Sequence, residues 1–99
     1  LPFLKRKKAR IYQLKNYSNS LYLRVEVKDK PGVLSKITRI LAERNISIER
    51  LIQIPDHKLK TASIVLITHK SKELDAQKCL GLFKSNKNIL RNPVLIRLL

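Results

Sequence analysis

The sequence predicts an α+β domain of element order βαββαβ, folded as a four-stranded antiparallel sheet with two helices on one face. Three observations carry this. Leu21, Leu23, Val25 and Val27 alternate with Tyr22, Arg24, Glu26 and Lys28, the period of a strand with one apolar and one wet face. Val33, Leu34, Ile37, Ile40 and Leu41 then fall at helical spacing, with Lys36, Arg39 and Glu43 opposite. A strand, a strand, a helix and a last strand follow in the remainder of the 99 residues. A chain of this length makes one domain, and about 60–65% of its unfolded surface is buried on folding.

Residues 1–20 show no sustained period. They carry Lys5, Arg6, Lys7, Lys8, Arg10 and Lys15 without an acid, and end in the turn-rich run Asn16–Ser20. They read as a linker from an upstream catalytic region, with residues 21–99 as the domain. After the first strand, Asp29-Lys30-Pro31-Gly32 breaks the alternation, and Pro31 suits the first turn of the helix. Asn45 suits a left-handed residue at the helix end. Ile46 to Pro55 returns to period 2 through Ile46, Ile48, Ile52 and Ile54, but Arg50 falls on the same parity, which calls for a bulge or an inward charge. Pro55-Asp56-His57-Lys58 is a turn. Thr61–Thr68 is apolar on both parities, as in a central strand or one with a covered second face. Ser71 can cap the second helix, whose apolar face is Ala76, Cys79, Leu80 and Phe83. Ile89–Leu99 closes the sheet, with Pro93 requiring an edge position. The arrangement is the ferredoxin-like sandwich.

Composition narrows the function. There are 22 basic and 7 acidic residues, a net charge of +15, which fits a nucleic-acid binder on its face. The RNA-recognition fold shares this element order, but it stacks bases on aromatics of its central strands. Thr61–Thr68 has none, and only Tyr22 is available on the first strand. No apolar run approaches a membrane span or a signal peptide. Cys79 is the only cysteine, so no internal disulfide forms and the reducing cytoplasm is the expected compartment. His57, His69 and Cys79 lack metal-ligand spacing, and no nucleophile–base pair is brought together by periodicity. No catalytic residue, metal or cofactor is therefore expected in this chain.

The strongest local feature is the turn from Asp29 to Leu34. Gly32 lets backbone approach a ligand, and the helix start offers N–H groups and a positive dipole end to a carboxylate. Asp29 can meet an ammonium. The same residues also suit a tight strand-to-helix turn chosen for geometry alone.

The run Leu21-Tyr22-Leu23-Arg24-Val25, then Asp29-Lys30-Pro31-Gly32-Val33-Leu34-Ser35-Lys36-Ile37, resembles an ACT domain. Ile40-Leu41-Ala42, Ile46-Ser47-Ile48, Gln53, Thr68-His69 and Pro93–Arg97 extend the resemblance, which is greatest to the C-terminal ACT domain of bacterial homoserine dehydrogenases. The resemblance implies a regulatory domain that pairs side by side into an eight-stranded sheet. It implies an amino-acid effector at the seam, threonine under feedback control. Carried over by position, Asp29, Lys30, Gly32, Val33 and Leu34 form the turn side, and Ile46, Ser47 and Gln53 lie along the seam, near Arg44 and Arg50. It also implies an NAD(P)-dependent catalytic part upstream, since no Gly-x-Gly-x-x-Gly occurs here. A dimerisation module without ligand is the alternative.

Overall fold

The computed structural model describes residues 18–98. The elements are β1 (Ser18–Lys28), α1 (Val33–Glu43), β2 (Ile48–Asp56), β3 (Thr61–Thr68), β4 (Ser71–Lys72), α2 (Glu73–Lys84) and β5 (Val94–Leu98). β1 begins three residues ahead of the expected start. The linker expected over residues 1–20 otherwise lies outside the described residues.

β1 is central. It pairs antiparallel with β3 through Tyr22↔Ile67 to Lys28↔Thr61, and with β5 through Ser20↔Leu98 to Arg24↔Val94. β2 pairs with the far side of β3 and leaves one edge open. The fifth strand, β4, is not in the sequence reading. Its pairs Ser18↔Lys72 and Asn19↔Ser71 are offset by one residue from the β1–β3 register, so it continues β3 along β1 after a break at His69 and Lys70. At the break the Leu21 N–H donates to the buried Thr68 hydroxyl at 3.0 Å, so a side chain replaces the missing ladder carbonyl.

Leu23, Val25 and Val27 of β1, with Ala62, Ile64 and Leu66 of β3, face both helices. α1 contributes Val33, Ile37, Ile40 and Leu41, and α2 contributes Cys79 and Phe83. These two stripes are the ones the spacing predicts. Burial pushes the Cys79 thiol up to about 11, which makes it a core residue rather than a nucleophile. Asn45 follows α1 with φ 58°, the left-handed residue expected there.

Five expectations change. Pro31 lies in the turn and not in the helix, since Gly32 at φ 87° takes the N-cap position. Ile46 is not in a strand; it is buried in the core ahead of β2. A bulge between Ile48 and Arg50 inverts the parity of β2, so Leu51 and Gln53 face the helices while Arg50, Ile52 and Ile54 face away. Ser71 does not cap α2: pairing with Asn19 draws it into β4, and Lys72 takes the cap position without a side-chain bond. The last strand is shorter than Ile89–Leu99, because Ile89 makes only an isolated bridge to Val27 and Pro93 stops the pairing.

Candidate functional site

The turn between β1 and α1 is held from two directions. The Asp29 N–H donates to the Lys60 carbonyl at 2.9 Å, tying the turn to the tip of the β2–β3 hairpin. The Lys28 N–H donates to the Asn88 carbonyl at 2.9 Å, and Leu90 N–H to the Glu26 carbonyl at 2.8 Å, tying its root to the segment before β5. The hairpin tip is itself ordered by Asp56, whose carboxylate accepts from the N–H groups of Lys58 and Leu59 at 3.1 and 3.2 Å. Lys60 completes that tip with φ 54°.

A cleft of about 330 Å³ opens at this turn. Of the residues singled out from the sequence, Asp29, Lys30, Gly32, Val33, Leu34 and Gln53 line it together. Gln53 gets there because the bulge places it on the helix face opposite Ile64, which also lines the cleft. Ile46 and Ser47 do not reach it. They line a separate, shallower groove of about 770 Å³ between the outer side of α1 and the start of β2, with Ser35, Thr38 and Arg39. The Ser47 carbonyl is taken by the His69 N–H at 2.9 Å. Pro31 of the same turn, with Val27 and Lys28, completes the cleft; Val27 and Lys28 were not singled out. Val27 is legible only as core, and the Lys60 and Asn88 carbonyls act through backbone, which no side-chain pattern reveals.

The two helix starts differ. α2 carries Glu73 and Asp75 in its first turn, so its positive end is satisfied internally. α1 has no acid in its first turn. Its first residues, Val33 and Leu34, line the cleft beside Gly32, where the absence of a Cβ keeps the approach open. Chemically, a helix start without an acid suits an anion, Asp29 a cation, and Gln53 a hydroxyl or amide. Among the described residues no group of three His, Cys, Asp or Glu is placed to hold a metal.

Fold and cleft together define a split-βαβ sandwich with a cleft at its first strand-to-helix turn. The ACT domain profile matches residues 21–81, and the chain belongs to the ACT domain family. Homoserine dehydrogenase from Neisseria gonorrhoeae is 44% identical over 63 residues, covering 64% of this chain and 14% of that protein. A homoserine dehydrogenase structure from Thiobacillus denitrificans superposes with a TM-score of 0.73 at 28% identity, covering 85% of this chain and 18% of that one. The regulatory subunit of aspartate kinase from Thermus flavus shares the fold, with a TM-score of 0.55 and 21% identity over 80% of this chain and 52% of that one. The chain thus spans less than a fifth of the homoserine dehydrogenases it matches. Among the described residues no helix is long and apolar enough to cross a membrane.

Proposed function

We propose that this chain is an amino-acid-sensing regulatory domain, with threonine as its effector and a homoserine dehydrogenase as the enzyme it controls. The single observation that carries the reading is the acid-free start of α1 facing Asp29 and Gln53 across one small cleft. A volume of about 330 Å³ suits a ligand of amino-acid size. The effector's carboxylate lies against the first turn of α1, its ammonium against Asp29, and its side-chain hydroxyl against Gln53. The homoserine dehydrogenase relatives support threonine, a hydroxy amino acid downstream of homoserine. The NAD(P) chemistry of such an enzyme belongs to sequence beyond this chain.

The open edge of β2 and the adjoining groove with Ile46 and Ser47 form the seam with a second copy in this reading. The effector regulates by binding one arrangement of the pair more tightly than another. The nucleic-acid alternative finds little support, because Tyr22 is the one aromatic on the open sheet face among the described residues.

Thermal melts with each amino acid at millimolar concentration test this. Threonine at about 100 times its dissociation constant adds roughly 2.7 kcal/mol, a rise of about 10 °C or more for a domain this size. Asp29→Ala removes most of that rise and leaves the ligand-free melt unchanged. A melt that no amino acid moves, in a chain that still dimerises, overturns the sensor reading in favour of a bare dimerisation module.

A further inference from the structure

A groove of about 650 Å³ lies on the sheet face turned away from the helices, along β1 and β5. A break in register builds one end of it. The Leu90 N–H donates to the Glu26 carbonyl at 2.8 Å, and Val94 pairs with Arg24. Between these two contacts β1 has one residue, Val25, and the opposite segment has three, Arg91, Asn92 and Pro93. The extra length loops out, and Pro93, with no N–H, offers no ladder bond there. Arg91 and Asn92 line the groove at this loop. Arg24 and Val94 form the next row, and Tyr22 and Ile96 the row beyond. Val94 and Ile96 are 49% and 51% exposed, which leaves an apolar surface beside the Tyr22 ring.

Glu26 is the one acid that lines the groove, and both its oxygens are bonded. Arg24 Nε donates to one at 2.9 Å, and the Ser63 hydroxyl to the other at 2.6 Å. The carboxyl is held below its ordinary value first by Ser63, then by Arg24, and last by the charge of Arg91, which makes no hydrogen bond to it. Arg91 is exposed and forms no ion pair among the described residues. Two guanidiniums against one carboxylate leave a single positive charge at the Arg91 end.

We propose that this groove is a second ligand site, apart from the cleft at Gly32, and that it takes an arylalkanoate, with the carboxylate on Arg91 and Asn92 and the ring against Tyr22 and Ile96. A guanidinium meets a carboxylate through two parallel N–H donors, and Asn92 adds an amide donor. The volume is in the range of small-molecule sites. The Tyr22–Ile96 and Arg24–Val94 rows lie two residues apart, about 7 Å, so a short saturated chain separates ring from carboxylate. Ring packing on Tyr22 adds to the apolar contact with Ile96. An ammonium finds no partner here, because Glu26 is already bonded and the remaining charge is positive. The groove thus selects against the zwitterions proposed for the Gly32 cleft.

Titration of the isotope-labelled 99-residue chain with hydrocinnamate, followed by amide NMR shifts, tests the proposal beside phenylalanine and acetate. Phenylalanine adds only the ammonium, and acetate lacks the ring. The expected result is saturable shifts at Tyr22, Arg91, Asn92 and Val94, with both comparison compounds bound at least about tenfold more weakly. Arg91→Ala weakens hydrocinnamate by about tenfold or more, and the exposed position keeps the change out of the core. Asp29→Ala leaves the titration unchanged. Absence of saturable shifts overturns the site, as do shifts centred on the Gly32 turn or binding that Arg91→Ala does not alter. Acetate bound as tightly as hydrocinnamate also overturns it, and shows a general attraction of anions to a chain of charge +15.

Discussion

Gly32 and Gly81 occupy opposite conformational situations, and alanine separates them. Gly32 sits at φ 87° with nothing within 4 Å of where a Cβ would lie. Its replacement is opposed by backbone conformation alone, at about 1–2 kcal/mol. Gly81 has the same open surroundings but ordinary helical geometry within α2. There alanine gains about 0.5–1 kcal/mol. Urea melts of Gly32→Ala and Gly81→Ala should move the midpoint in opposite directions. A shift of the same sign for both would show that the turn at Gly32 relaxes to another conformation. Gly32→Ala also weakens the threonine response, because it places a methyl group at the cleft mouth.

At the scale of elements, α2 and β5 are joined by one ion pair. Glu73 is 5% exposed and accepts from Arg97 Nε at 2.8 and 2.9 Å and from Gln77 at 3.0 Å; the Arg97 Nη2 donates to it as well. Arg97 and Gln77 hold the Glu73 carboxyl below its ordinary value of 4.5, against the opposing effect of burial. A depressed carboxylate stabilises the fold above its unfolded pKa, and that contribution is lost as pH falls through the lower, folded value. Stability should therefore drop below about pH 4.5. Glu73→Gln lowers it by about 1–2 kcal/mol at neutral pH, the partly exposed Arg97 tempering the loss. Melting temperature against pH should be flatter in the variant; an unchanged slope would assign acid sensitivity to other carboxylates. This pairing was not legible in the sequence, since it depends on β5 lying antiparallel to β1 with Arg97 opposite Leu21. What was legible were the elements with unbroken periods, β1 and α1, and the turn between them. The strand β2 was legible too, but not its facing, because one extra residue at Glu49 reverses which side chains are inward. Arg50 on the apolar parity was the trace that the bulge left. The same reversal explains the site: Gln53 reaches the cleft by it, while Ile46, ahead of the bulge, stays in the core. β4 is two residues long and follows from a register offset, which composition does not encode.

For the whole molecule, the net charge of +15 decides how assembly responds to salt. Contact through the β2 edge in the proposed seam runs through backbone, while the long-range force between like-charged copies is repulsive. The Debye length falls from about 10 Å at 0.1 M to about 3 Å at 1 M salt, so association should tighten as sodium chloride is added. An association that weakens instead would identify contact through opposite charges, as with a nucleic acid. The Asp29–Lys60 bond has a consequence for observing both events. It fastens the mouth of the cleft to the tip of the hairpin whose first strand forms the open edge. One amide proton thus bridges the cleft proposed for a small molecule and the strand proposed to meet a twin, and under that reading its exchange with deuterated solvent is a clock that each arrival slows.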